Sequence, residues 1–204
     1  MSVTNKLVNK ARKPSEFAQS YIDRLYKIFK NIEPNSIDRM FSLINTHRKK
    51  NKNIFLIGNG GSSSTASHMQ NDINFDVLKR SKTNQPFRFL NLSDNSPSVT
   101  AISNDISYDQ IFSKQLSIFG NKGDMVIAIS ASGNSSNLIE SVKYAKKNGI
   151  YTFGMIGFDG GVLKKICDDY ILVPTDINEF GIVEDSHLIL NHIISHWFQI
   201  KLKN

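Results

Sequence analysis

Two stretches of the chain break in the same unusual way. Ile54-Phe55-Leu56-Ile57 is apolar throughout and stops at Gly58-Asn59-Gly60-Gly61, followed by Ser62-Ser63-Ser64-Thr65. Residues 124–129, DMVIAI, likewise stop at Ser130-Ala131-Ser132-Gly133-Asn134-Ser135-Ser136. A short apolar run bounded by turn residues reads as a strand buried on both faces, the mark of a parallel sheet. Glycines let the backbone turn sharply and let a ligand approach it closely. Hydroxyl residues just beyond suit the start of a helix, whose unpaired N–H groups and dipole favour an anion. In open α/β sheets the ligand lies beyond the carboxyl ends of the strands, so both turns are expected to face one crevice.

The remaining chain fits that frame. Residues 1–13 are polar and expected to be loose. Helical spacing runs from Ser15 to about Asn31 and again from Ser36 into the basic run 47–52. These two helices either cover the chain's own sheet or pack on a second subunit. Further strands are expected at 86–92, 151–156 and 170–173, with helices at 98–102, 108–119, 137–148, before Cys167 and from Ile182 to Lys201. The alternation predicts a three-layer α-β-α sandwich around a five-stranded parallel sheet, preceded by two helices. The organisation expected is a helical extension over 1–50 and one α/β domain over 51–204.

Several function classes fall away. Neither turn has the GxxxxGK[ST] spacing of a P-loop, and GNGGSS breaks the dinucleotide pattern at its last glycine. The formal net charge is +7, but aromatic residues do not interleave with basic ones as a nucleic-acid surface requires. Cys167 is the only cysteine, so neither a disulfide nor a thiolate metal site is available within the chain. No apolar run reaches the ~20 residues of a membrane span, and the first residues lack a signal-peptide core. A cytoplasmic protein is expected.

Two helices carry ionisable groups at helical spacing. His68 and Asp72 are four apart on the first, and Glu184 and His192 are eight apart on the last. Among apolar neighbours these groups need partners, and each pair is the obvious partner of the other. Four N/O ligands suit a divalent cation such as zinc. The same four suit a metal-free acid–base pair.

Five motifs then occur in a familiar order: GNGGS at 58–62 with His68 beyond it, SDNSPSVTAISND at 93–105, SASGNS at 130–135, GFDGG at 157–161 and EDSHLILNH at 184–192. In this the chain resembles the SIS-domain sugar isomerases, and most of all the sedoheptulose 7-phosphate (phosphoheptose) isomerases. The resemblance implies the flavodoxin-like SIS fold and conversion of sedoheptulose 7-phosphate to D-glycero-D-manno-heptose 7-phosphate through an enediol, for bacterial surface heptose. It implies that Asn59, Gly60 and Gly61 contact the sugar, and that Ser62, Ser130, Ala131, Ser132 and Ser135 hold the phosphate. Asn104, Asp105 and Glu184 would bind the sugar chain, with Asp72 and His192 catalytic. It implies zinc on His68, Asp72, Glu184 and His192, no nucleotide or redox cofactor, and a homotetramer with sites between subunits. Asp72, Glu184, Ala131, Asp76 and Gly181 stand where the family usually has glutamate, glutamine, threonine, arginine and aspartate. Two other readings stay open: a non-catalytic binding platform resembling the replication-initiator-associating protein, and an enzyme or sensor for another sugar phosphate.

Overall fold

The computed structural model describes residues 2–203. Among them, β1 (Ile54–Gly58), β2 (Phe89–Asn91), β3 (Met125–Ser130), β4 (Tyr151–Gly157) and β5 (Asp169–Val173) form one sheet. Its order is β2-β1-β3-β4-β5 and every pair is parallel. This is the flavodoxin-like order, which reverses direction between β1 and β3. Those are the two apolar runs that end in glycine and serine turns. Their register pairs Ile54 with Met125 and Gly58 with Ile129, so both turns leave the sheet side by side.

Helices cover both faces, as the burial of alternate side chains requires. Ile54 and Leu56 with Met125, Ile127 and Ile129 join one core cluster. Phe55 and Ile57 with Val126 and Ala128 join the other. The first face carries α2 (Pro14–Lys30), α3 (Pro34–Lys49), α4 (Gly61–Asn71), α5 (Val77–Ser81) and α10 (Phe180–Lys201). The second carries α6 (Ser96–Asp105), α7 (Ile111–Phe119), α8 (Ser136–Lys147) and α9 (Leu163–Ile166). Ile28, Met40 and Ile44 from the first two covering helices, and Ile32 from the link between them, share the core of the sheet itself. Cys167 packs beneath the second face, where burial pushes its thiol up to about 12 and removes it as a nucleophile at neutral pH.

Three expectations need correction. Residues 1–13 are not loose: Val3–Lys10 forms a helix, α1, so three helices rather than two precede the sheet. Ser2 caps it by accepting from the Asn5 N–H at 3.3 Å, and Thr4 donates its N–H and hydroxyl to Glu179 at 3.1 and 2.7 Å. That anchor is 175 residues away and invisible to local pattern. The strand expected at 86–92 forms only over Phe89–Asn91. Asn74 instead takes the outer backbone groups of Phe89, accepting its N–H at 2.9 Å and donating to its carbonyl at 2.8 Å. Finally, α4 runs into a π-helical turn over Asp72–Asp76 before α5 begins.

Glu179 is the buried charge on which the amino-terminal helices depend. Its side chain is 0% exposed and meets the Arg24 guanidinium at 2.6 Å. Burial raises its pKa, but Arg24, Thr4 and the Asp176 amide outweigh burial and hold the carboxyl below its ordinary range. The Arg24→Met variant leaves that carboxylate uncompensated, and we expect a loss of about 3 kcal/mol in urea unfolding at pH 7. A group with a depressed folded pKa stabilises above its unfolded pKa and loses that contribution as pH falls through the folded one. The gap between wild type and variant should therefore close as the buffer is taken below pH ~4; a gap that is constant down to acid would exclude Glu179 as its origin.

Candidate functional site

The site has two parts, both at the carboxyl ends of β1 and β3. The first is a cleft of about 160 Å³ lined by Asn59, Ser62, Ser130, Ala131, Ser132, Ser135, Phe180 and Glu184, with Ile129 and Leu138 at its floor. Two helices begin here, α4 at Gly61 and α8 at Ser136. Gly60 precedes the first at φ 53°, ψ −124°, a conformation closed to residues with a Cβ. Neither helix has a side-chain cap, so its first N–H groups and the positive end of its dipole are left for a ligand. The SASGNS turn holds its own shape. Ser130 Oγ accepts from the Gly133 N–H at 3.0 Å, and Ser132 Oγ from Asn134 at 3.2 Å. Gly133 sits at φ +66°, and a Cβ there would lie 2.1 Å from the Gly160 carbonyl oxygen of the GFDGG turn. The arrangement is a lysine-free cradle for an anion such as phosphate.

Asn59 is locked at the mouth. It exchanges two 2.9 Å hydrogen bonds with the buried Asn137, and Tyr108 donates its hydroxyl to Asn59 Oδ1 at 3.0 Å. Sequence reasoning missed Asn137 and Tyr108, because neither lies in a motif that chemistry picks out. Phe180 was missed too; its only signal was its place just before the last helix. Asn104 and Asp105 lie at the exposed end of α6, hydrogen-bonded to each other at 2.8 Å, and do not line the cleft. They reach the site only through the Tyr108 segment that follows them.

The second part lies further along α4, where it meets α10. His68 Nε2 is 3.2 Å from Asp72 Oδ2 and 3.4 Å from His192 Nε2, and His192 Nε2 is 3.9 Å from Asp72 Oδ2. These three offer ligand atoms within 4.8 Å of one another and form a group that could hold a metal ion. The spacing fits one: ligands about 2.0–2.1 Å from a tetrahedral ion stand roughly 3.4 Å apart. Three protein ligands also leave the fourth position open, the pattern of a catalytic site. Glu184, the fourth residue of the expected set, is not among them in this protomer. Eight residues bring it to the same face of α10, but about 12 Å away along the axis. Its carboxylate lies over Gly61 at the cradle, within 2.6 Å of where a Cβ on that glycine would be. His187 is fully buried, and burial pushes it down to about 4, so it stays a neutral core residue. His196 faces the outer side of α10 beside Trp197 and Ile200.

Comparison with known proteins agrees with this geometry. The family model for the SIS domain matches residues 16–157. A phosphoheptose isomerase of Sulfurimonas denitrificans is 37% identical over 161 residues, 78% of this chain and 80% of that protein. A probable phosphoheptose isomerase of Thermoplasma acidophilum is 36% identical over 157 residues, 77% of this chain and 81% of that protein. The solved phosphoheptose isomerase of Neisseria gonorrhoeae superposes with a TM-score of 0.77 at 27% identity, over 90% of this chain and 95% of that one.

The shape of the SASGNS turn depends on the missing Cβ of Gly133. Gly133→Ala collides with a backbone carbonyl and adopts a positive φ at a cost of about 1–3 kcal/mol. Calorimetry with inorganic phosphate should show binding weakened at least tenfold, or about 1.4 kcal/mol. Wild-type affinity in this variant would mean the anion sits elsewhere.

Proposed function

The chain belongs to the SIS domain family, and on that premise we propose that it is an aldose–ketose isomerase converting sedoheptulose 7-phosphate to D-glycero-D-manno-heptose 7-phosphate. The observation that carries this reading is the separation of the two parts of the site. From Ser62 to His68 is six residues of one helix, or about 9 Å. In a 7-phosphate the carbonyl carbon C2 is seven bonds from phosphorus. At about 1.2 Å per bond of extended chain that is also some 8–9 Å. Phosphate in the cradle thus brings C1 and C2 to Asp72 and His192. A shorter sugar phosphate would fall short of them.

The chemistry moves one carbon-bound proton and one oxygen-bound proton. Asp72 takes a proton from C1, leaving a 1,2-enediol, and returns it to C2. His192 carries the hydroxyl proton from O1 to O2, so no atom is gained or lost. Asp72 Oδ2 faces the two imidazoles, whereas Oδ1 has only a 3.5 Å approach from Asn71 and keeps capacity for the substrate proton. Asn59, Gly60 and Gly61 border the sugar; Ser62, Ser130, Ala131, Ser132 and Ser135 hold its phosphate; Glu184 adds a sugar contact, and Asn104 and Asp105, outside the cleft of this protomer, would complete the contacts only from a neighbouring subunit or by movement of α6. A zinc ion held by His68, Asp72 and His192 would stabilise negative charge on the enediolate oxygen. The product would feed surface-polysaccharide heptose in the cytoplasm of a bacterium; no described helix is long and apolar enough to cross a membrane.

We also infer a homotetramer with its sites at subunit contacts, the first fifty residues serving the packing. Ile22 and Tyr26 on α2, and Ile193, Trp197 and Ile200 on α10, are large apolar side chains left exposed in the protomer. His192 and His196 border the open groove that the α10 residues line, so a second copy seated there would touch the chemistry directly.

Incubation with sedoheptulose 7-phosphate should produce an aldose signal by NMR. Asp72→Asn should lower kcat by roughly 10²–10⁴-fold. Zinc copurifying with wild type should be lost from His68→Ala and His192→Ala in elemental analysis. An unreactive wild type that instead binds a protein partner tightly would favour the platform reading. Trp197→Asp should shift the light-scattering mass from four chains toward fewer; an unchanged mass would move the interface to another face.

A further inference from the structure

A ladder of buried polar side chains runs down the inner face of α10. Asn191, Ser195 and Gln199 are four apart, and are 0%, 4% and 8% exposed between the buried apolar Leu190, Ile194 and Phe198. Polar groups in such a place cost stability unless something bonds them. Two of them reach Asp72, and the third holds the second. Asn191 Nδ2 donates to Asp72 Oδ2 at 2.9 Å. Ser195 Oγ approaches the Asp72 carbonyl at 3.4 Å, and Gln199 Nε2 donates to Ser195 Oγ at 3.0 Å. That carbonyl belongs to the π turn, where it accepts from the Val77 N–H rather than from the next turn of an α-helix. A π turn inserted in an α-helix is a local device frequent at functional sites. Here it begins at the residue whose carboxylate the reaction needs.

We propose that Asn191 is a positioning residue for Asp72, and that Ser195 with Gln199 holds the π turn that presents it. This rests on the isomerase reading. Asp is one methylene shorter than Glu, so the carboxylate cannot find its place by side-chain flexibility alone. Its backbone must be carried toward the substrate and its rotation about the Cβ–Cγ bond must be fixed. The π turn does the first. The amide of Asn191 does the second, engaging Oδ2 together with His68 and leaving Oδ1 for the proton at C1. The amide's own Oδ1 is buried without a partner among the described residues. An apolar side chain of similar size in its place relieves that orphaned oxygen but takes one donor from the buried carboxylate, which keeps His68 beside it, at a cost of about 1–3 kcal/mol.

The test is Asn191→Leu, with Ser195→Ala as a second variant of minimal volume change. For Asn191→Leu we expect kcat to fall roughly 10–100-fold, since a misplacement near 1 Å can cost about 10²-fold. KM should stay within twofold, because the phosphate cradle is untouched, and a fall of a few degrees in melting temperature leaves the enzyme folded at the assay temperature. Exchange of the C1 proton of sedoheptulose 7-phosphate with D₂O, followed by NMR, should slow by the same factor as kcat. Ser195→Ala should lose roughly 3–10-fold in kcat with the same split. A folded Asn191→Leu enzyme with kcat within twofold of wild type, or a loss confined to KM, overturns the role. Should Asn191→Leu not fold, unchanged kcat and exchange in Ser195→Ala overturn it instead. An inactive wild type would defeat the isomerase reading itself, whereas active wild type with unimpaired variants defeats only the positioning role.

Discussion

The contact between α10 and the α4–π-turn segment is the constraint on which the rest of the structure depends. It brings His192 to His68 and Asp72 across 124 and 120 residues of chain (192 − 68 and 192 − 72). The sheet determines where these helices start, since α4 leaves the end of β1 directly. The core beneath them determines how they cross: Ala66, Met69, Ile73 and Val77 from one side meet Leu190, Ile194 and Phe198 from the other. Apolar burial drives that packing. The polar groups placed on the same faces are thereby carried to one another, and their geometry follows from the packing of their neighbours.

Charge is distributed along this seam in a way that separates binding from chemistry. The cradle end offers two helix amino-termini and serine hydroxyls, all of which favour an anion. The far end offers imidazoles around one carboxylate, a set suited to proton transfer or a cation. Glu184 stands between them, its carboxylate against Gly61 at the positive end of α4. There the dipole stabilises its charge, and an incoming phosphate would have to share that end with it.

The amino-terminal helices are tied to the same seam by one more buried charge. Glu179, the residue before α10, gathers Arg24 from α2 and Thr4 from α1. Tyr21 donates to Asp185 at 2.6 Å one turn into α10. Its hydroxyl lies 2.8 Å from where a Cβ on Gly181 would be, so any side chain at that position would have to displace it. Movement of α2 would therefore be felt by α10 at the mouth of the cleft.

The local pattern of the chain was enough to establish the sheet, its all-parallel sense and the two turns that hold an anion. Continuous apolar runs of about four to six residues bounded by turns fit strands covered on both faces, and glycine–serine turns after them suit an anion. Spacing of four on a helix was likewise enough to pair His68 with Asp72. What only the tertiary structure decided was anything requiring distance along an axis or across the chain. Glu184 shares a face with His192 but not a level, so its carboxylate lies against Gly61 rather than beside His68, Asp72 and His192. The π turn at Asp72 and the helix at Val3–Lys10 depend on partners more than a hundred residues away, Ser195 and Glu179. Asn137 and Asn191 look like any buried or surface amide until the fold sets Asn59 and Asp72 beside them. Periodicity records which way a side chain points, whereas function here depends on what it meets, and that is settled by packing.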